Sequence, residues 1–327
     1  MPPSSPSVLV IRLDAIGDAL ALTPLLAALR ERRIPVDLVM RAVNAGIFSS
    51  RAARSVYVAP FALRSSTASN RRAIAQFGAR LAANGYTHVL DATEDPGGYR
   101  LAKATGARQR IGFVNGWGKP LKTLWARSML TSTLVRSAGL DPRAPHECEV
   151  LYRLGATLVG DRAIPRDATE LRPLVLENDV APANHVVFQV SDKWERLGIA
   201  FAQVARALNA VAEIGNVRAL AAAAEAAYAR RMSDATGIAV ESFSDVTPWK
   251  AAIAGAAALV TPDSGALHVA GMLGTPTVAV FPPVRDFDLQ LARWSPWAAP
   301  FRAVRADGDW PARVVSGLQE LHVPVRR

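Results

Sequence analysis

The chain has 327 residues, half of them apolar, and a formal net charge of +10. That length and apolar content suit two domains of ordinary size, each with its own core, and exclude a disordered chain. A single cysteine excludes an intrachain disulfide, and no uninterrupted apolar run approaches the ~18 residues of a membrane span, so a cytoplasmic protein is expected. The opening MPPSSPSVLVIRLD has no basic leader and places Arg12 inside its apolar run, which is not a secretory-signal pattern.

In chain order, the pattern predicts a strand over 8–13, a helix over 18–33, a strand over 36–40, a helix over 68–84 and a strand over 88–92. Such alternation predicts a doubly wound parallel sheet. Past Gly112 the pattern loosens into a basic section. Residues 96–140 hold eight Lys and Arg and no acid. HEC, at positions 146–148, reads as the start of a helix to about residue 159 rather than as metal ligands, because the other histidines are scattered. Prolines and mixed charges between 160 and 184 suit a linker. The alternation then restarts: a strand over 185–190, the loop SDKWE, a helix over 196–214, a strand over 217–221, a helix over 225–236, a strand over 238–241 and a helix over 248–255. LVTPDSGALHVAGMLGTPTVAVF, residues 259–281, follows as strand, turn, small-residue helix and strand. A last helix over 310–321 is expected near the domain junction. The expected organisation is a Rossmann-like domain over 1–160, a linker over 161–184, a second Rossmann-like domain over 185–309 and a C-terminal helix over 310–327.

No G-x-G-x-x-G follows the first strand and no G-x-x-x-x-G-K-[ST] occurs, which argues against a nicotinamide dehydrogenase or a P-loop enzyme. Instead the first strand runs into RLDAIGDALALTPLLAALR. Gly17 permits a tight turn, and Asp18 falls in the first turn of the helix, where it can cap the helix or serve as a general base. Asp14 competes for the second role. In the second half, PDSG opens a helix whose unpaired N–H groups favour an anion such as a diphosphate. Ser264 adds a hydroxyl, Gly265 allows close backbone approach, and His268 lies on the adjacent helix face. Asp263 would repel phosphate, so it suits sugar hydroxyls or the loop itself. Lys193 reaches the same crevice as a point charge, or is an ordinary loop lysine.

The charge is unevenly placed. Residues 1–145 contain 20 Lys and Arg against 8 Asp and Glu, whereas 146–327 contain 18 against 20. The first half therefore suits an anionic partner. No nucleic-acid-binding motif accompanies the basic section, so a phosphorylated or carboxylated small molecule or a glycolipid is the expected partner, with Arg100, Lys103, Lys119, Lys122 and Arg127, and Asp14 beside them, as candidates for binding it.

The stretches VLVIRLDAIGDALALTPLLAALR and LVTPDSGALHVAGMLGTPTVAVF together resemble the two signature regions of the heptosyltransferase family, glycosyltransferase family 9. The resemblance covers residues 8–30 and about 185–281. It implies an α/β GT-B fold, two Rossmann-like domains facing each other across a cleft, with the acceptor on the first and a nucleotide-sugar donor on the second. It implies an inverting transfer with neither metal nor cofactor. By position, Asp18 falls on the catalytic base, Lys193 on the phosphate-binding lysine, and Ser264 and Gly265 on the diphosphate loop. Asp263 and His268 fall close to the transferred sugar, and Glu225 falls on the residue that binds the nucleotide ribose. Two departures concern the donor pocket: Lys193 is followed directly by Trp194 with no Pro after it, and the final strand ends VFPP where a Gly usually follows the Phe. The expected activity is transfer of heptose from ADP-heptose to a lipopolysaccharide-core or related acceptor, with transient contact to the inner membrane face and no nucleic-acid partner. The alternative is a GT-B epimerase or a non-catalytic binder of glycans or nucleotide sugars.

Overall fold

The computed structural model describes residues 5–62, 65–136 and 145–323, so the last residues of the basic section, 137–140, lie outside the described residues. The chain divides into two units, Met1–Pro165 and Arg166–Arg327. Each is built on a parallel six-stranded sheet.

In the first unit the strands are β1 Val8–Ile11, β2 Val36–Met40, β3 Ser55–Val58, β4 His88–Asp91, β5 Gln109–Val114 and β6 Ser132–Val135. Their order is β3-β2-β1-β4-β5-β6. β1 is central, and every one of its residues is fully buried. A parallel strand covered by helices on both faces must be apolar on both, which is why VLVI reads as a continuous run. β2 carries one exception, the buried Asp37, which accepts hydrogen bonds from Arg54 Nη2 at 2.6 Å and from the Tyr86 hydroxyl at 2.6 Å. Register places Ile11 beside Asp91, so the carboxyl ends of β1 and β4 lie side by side.

The second unit repeats the plan. Its strands are β7 Val186–Gln189, β8 Val217–Ala222, β9 Val240–Phe243, β10 Ala258–Pro262, β11 Thr277–Phe281 and β12 Phe301–Arg305, in the order β12-β11-β10-β7-β8-β9. Its core is anchored by Trp194, stacked between Phe188 and Trp310 with ring centroids 5.8 and 5.7 Å away. The indole N–H of Trp194 donates to the Gln189 carbonyl at 2.9 Å, so the loop after β7 is tied to its own strand.

Several elements depart from the sequence expectation. The helix expected over 18–33 is two helices, Ile16–Leu20 and Thr23–Glu31. Pro24 has no N–H for the Leu20 carbonyl, which instead accepts from the Thr23 hydroxyl at 2.6 Å, and the ladder breaks there. The basic section holds the helices Pro96–Ala104 and Pro120–Arg127 together with β5 and β6. Its Pro-Gly-Gly start looks like a turn, yet proline suits the first helical turn. The stretch 161–184, read as a linker, contains the helix Ala168–Val175, which packs on the helix Gly265–Leu273. The helix Trp310–Glu320, expected near the domain junction, packs on the helix Phe201–Ile214 and on β11 and β12.

The helix Gly265–Leu273 is buried from Ala266 through Leu273. At Gly271 an added Cβ would lie 2.9 Å from the Trp297 backbone nitrogen and 3.0 Å from Pro296 Cα. Backbone cannot swing aside as a side-chain tip can. Gly271→Ala should therefore destabilise the protein by about 1–3 kcal/mol, despite alanine's better helix propensity, as measured by urea unfolding.

Candidate functional site

In each unit the chain runs outward in both directions from a central strand, between β1 and β4 in the first sheet and between β7 and β10 in the second. A crevice opens at the carboxyl ends of strands where the order reverses, and ligands of open α/β sheets bind there. The sequence-selected residues Asp14, Asp18, Lys193, Asp263, Ser264 and Gly265 all follow the carboxyl ends of these central strands.

The centre of the first-unit site is Arg12, which is 4 % exposed. Its guanidinium donates to the Ala92 carbonyl after β4 and, through Nε, to the Asp18 carbonyl at 3.2 Å. It pairs with the carboxylates of Asp14 at 3.3 Å, Asp18 at 3.2 Å and Glu147 at 3.4 Å. A buried guanidinium is stable only when its charge and its N–H groups are matched, and this one gathers three carboxylates. Glu147, fully buried in the helix Glu147–Tyr152, also accepts from Arg136 at 2.8 Å. Arg136 in turn pairs with Glu94 at 2.8 Å. His146 caps that helix by accepting the Cys148 N–H on Nδ1, in keeping with the reading of HEC as a helix start.

Asp18 occupies the third position of the helix Ile16–Leu20, and its Oδ2 accepts the Ala15 N–H at 3.2 Å. The capping role and a partly exposed carboxylate thus coexist in one residue. Asp14 differs. Burial, opposed by Arg12 and reinforced by Asp18, Asp95 and Glu147, pushes its pKa up to about 6. Asp14, Asp18, Asp95, Arg41, Asn70 and Phe61 line a single cavity of about 750 Å³.

Asp91, at the end of β4, was not selected from the sequence. It is completely buried, and its Oδ1 accepts from the Thr93 N–H at 3.0 Å and the Thr93 hydroxyl at 2.8 Å. Among the described residues, Oδ2 has no hydrogen-bond partner. Burial lifts its pKa to about 7, against the two Thr93 bonds, with Asp14 and Asp95 adding to the rise. An added Cβ at Gly98 would fall within 2.7 Å of both carboxylate oxygens, so glycine there makes room for the group. The only signal in the sequence was a carboxylate at a strand end in DATEDP. Arg12, Glu147 and Arg136 gave no signal beyond charge.

In the second unit, β7, β8 and β10 are neighbours. Glu225, after β8, accepts from the Ser191 hydroxyl at 2.7 Å and from the Asp192 N–H at 3.1 Å. It therefore shapes the loop that opens the helix Lys193–Arg196. Burial pushes the Glu225 pKa up, opposed by the Ser191 hydrogen bond. The half-buried Lys193 follows directly, with its N–H bonded to Ser191 Oγ at 3.1 Å. Ser264 is extended at the N-cap of the helix Gly265–Leu273, but its hydroxyl lies 3.0 Å from that of Thr261 and makes no cap bond. The first-turn N–H groups thus receive nothing from the Ser264 side chain and can meet an anion. His268 packs edge-on against Trp294 at 5.7 Å. Asp263, half-buried, sits between β10 and that helix, with its N–H bonded to the Val280 carbonyl.

The structure separates the basic candidates. Lys122 donates to the Glu94 carbonyl at 2.6 Å and to Asn115 at 3.2 Å, on the carboxyl-end side of β4 and β5. Arg100 lies over the Trp125 ring at 5.0 Å. Lys119 is exposed just before the helix Pro120–Arg127. Lys103 and Arg127 sit in the last turns of helices that run antiparallel to the strands, and so lie toward the amino ends, away from Asp18. Among the described residues no group of three or more His, Cys, Asp or Glu is placed to hold a metal ion.

Residues 200–314 match the family model described as glycosyltransferase family 9 (heptosyltransferase). The match bears out the resemblance read from the sequence and marks the chain as a glycosyltransferase. The fold is similar to that of a glycosyl transferase family 9 structure from Veillonella parvula DSM 2008, with a TM-score of 0.73 at 14% identity over 98% of each chain. It is also similar to E. coli ADP-heptose lps heptosyltransferase II, with a TM-score of 0.70 at 17% identity over 96% of this chain and 98% of that one. E. coli heptosyltransferase WaaC with ADP gives 0.64 at 21% identity over 96% and 99%. At these identities the likeness shows the fold, which is GT-B. No curated protein matches the chain.

Asp91 provides a test of the buried carboxylates. Its folded pKa, about 7, lies above the ordinary value of 3.8, so the folded state keeps a proton that the unfolded state has lost. Stability should fall as pH rises through that window. Asp91→Asn removes the titration, so thermal melts of the variant should lose less melting temperature than wild type between pH values of about 5 and 8.

Proposed function

We propose that the protein is an inverting, metal-independent glycosyltransferase that moves a sugar, heptose from ADP-heptose being the expected case, to a hydroxyl of an anionic glycan or glycolipid such as a lipopolysaccharide core. The observation that carries this reading is the carboxylate pair Asp14 and Asp18, held on one buried guanidinium beside a cavity of about 750 Å³. A sugar hydroxyl is a poor nucleophile at neutral pH and needs a base within hydrogen-bond reach. Asp18 is that base. It is the more exposed of the two carboxylates, at 30 % against 26 %, and it is the residue that the family resemblance points to. Arg12 holds it in place.

The second unit takes the donor. First-turn N–H groups of the helix Gly265–Leu273 and the ammonium of Lys193 neutralise the diphosphate, and they stabilise the charge that grows on it as the glycosidic bond breaks. These groups supply the positive potential that a divalent ion would otherwise bring. Glu225 accepts from ribose hydroxyls while it shapes the Lys193 loop. Asp263 and His268 contact the transferred sugar. The bound nucleotides named for the E. coli WaaC structures, ADP and ADP-2-deoxy-2-fluoro heptose, support an ADP-sugar as the donor class. The acid-poor basic section of the first unit supports an anionic acceptor, with Lys119, Lys122 and Arg100 the cations to test first.

Two variants test the assignment. In Asp18→Asn the side chain can still accept one of the two bonds now made to Oδ1 and Oδ2, so stability should fall by about 1–2 kcal/mol. Turnover with ADP-heptose and acceptor should drop about 10²–10⁴-fold, the usual contribution of a general base. Wild-type kcat in this variant would pass the role to Asp14. Lys193→Ala should weaken ADP binding by about 1.5–3 kcal/mol in calorimetry with chelator present. If wild-type binding itself vanishes with chelator, the metal-free mechanism is wrong.

A further inference from the structure

Among the described residues, the most exposed large apolar side chains gather on one short stretch. Trp117, in the turn Gly116–Gly118, is 96 % exposed, and Leu121 and Leu124, three residues apart on the helix Pro120–Arg127, are 83 % and 70 % exposed. Val135, at the end of β6, is 67 % exposed and lies against the same turn, 3.1 Å from where a Gly116 Cβ would stand. The helix turns Thr123, Trp125 and Ala126 inward, with the Trp125 ring 6.0 Å from that of Tyr99 and the Thr123 hydroxyl bonded to the Gly116 carbonyl at 3.0 Å, while its two leucines point to solvent.

Cations surround this apolar face. Lys119 and Arg127 are exposed, and among the described residues neither forms an ion pair. Residues 96–136 contain no acid at all. Such a patch is costly in water and marks a surface for association.

We propose that this face docks on an anionic lipid bilayer, with Trp117, Leu121 and Leu124 entering the interface and Lys119 and Arg127 meeting the phosphate headgroups. A helix of eight residues is about 12 Å long and lies in the interface rather than crossing it. Trp at headgroup depth, Leu just below it and Lys or Arg at the rim is the order in which a bilayer solvates these side chains. A second copy of the chain is a poor occupant, because a two-fold contact would set the same cations against one another with no acid between them. Nucleic acid would satisfy the cations but leave Leu121 and Leu124 unmatched. The inference rests on this surface alone and holds whether or not the protein transfers a sugar. With glycosyl transfer, it places the protein where a lipid-linked acceptor is met.

The test is co-sedimentation of the full chain, without substrates, on vesicles of phosphatidylglycerol mixed with phosphatidylcholine and on vesicles of phosphatidylcholine alone. Wild type should bind the anionic vesicles, bind the neutral ones far less, and dissociate as salt rises. That arm needs no variant, and its failure overturns the proposal. Leu121→Glu with Leu124→Glu keeps helix propensity at two outward-facing positions, so the melting temperature should hold while partition falls about tenfold or more. Lys119→Gln and Arg127→Gln should each weaken partition about fivefold, the worth of one cation at such a surface. Unchanged partition in all these variants would place the contact elsewhere. A concentration-dependent dimer in sedimentation velocity that the leucine variant abolishes would assign the face to a second copy and overturn the lipid reading. Because no sugar donor is present, these outcomes are independent of whether Asp18 is the base.

Discussion

The first unit turns on one buried positive charge. Arg12 leaves β1 at the point where the sheet order reverses, with only 4 % of its surface exposed. A guanidinium in that position must be surrounded by acceptors, and the fold supplies them from three directions: the turn after β1, the end of β4 and the buried helix at Glu147. Removing any one leaves charge unmatched in a poorly solvated place, a larger penalty than the pair itself contributes when intact. The consequence for function is positional. Asp18 is held from two sides, by Arg12 and by the Ala15 N–H, so the base and the helix cap are one residue with one geometry.

Crowding of carboxylates is the other side of that arrangement. Burial raises the proton affinity of Asp14 and Asp91, and neighbouring carboxylates add to it, Asp18, Asp95 and Glu147 at Asp14 and Asp14 and Asp95 at Asp91. A fold under selection for stability alone has little use for a fully buried carboxylate with an unpaired oxygen. Such groups collect where chemistry needs them. The glycine at 98, which clears space for Asp91, is a backbone accommodation of the same site.

The second unit solves a different problem with the same topology. Its switch-point loops carry a lysine, a helix N-terminus whose cap residue turns its hydroxyl elsewhere, and a glutamate that braces the lysine loop. Trp194, the residue after Lys193, is stacked between two aromatic rings and hydrogen-bonded to β7, which restrains the loop that carries the lysine.

Local pattern was sufficient for the central strands, the strand-to-helix turns at Asp18 and Ser264, and the restart of the alternation at the second unit. Each is a contiguous stretch whose apolar run or glycine placement has a single physical reading. β3 and β6, of four residues each and only partly buried, and β12, with Arg at two of its five positions, show no long apolar run to mark them, and the helix Pro96–Ala104 was hidden by a start that resembles a turn. The site itself was legible only where its residues lie within a few positions of a strand end. Arg12 reaches Glu147 across 135 positions, and nothing in either neighbourhood announces the other. Likewise the basic section looked uniform as sequence, and only folding sent Lys122 toward the Asp91 end of the sheet, Lys103 and Arg127 toward the other, and Trp117, Leu121 and Leu124 out to solvent. Periodicity fixes which face of an element is apolar. Which strand ends become neighbours, and so which charges must neutralise one another, is set by the order in which the strands pair.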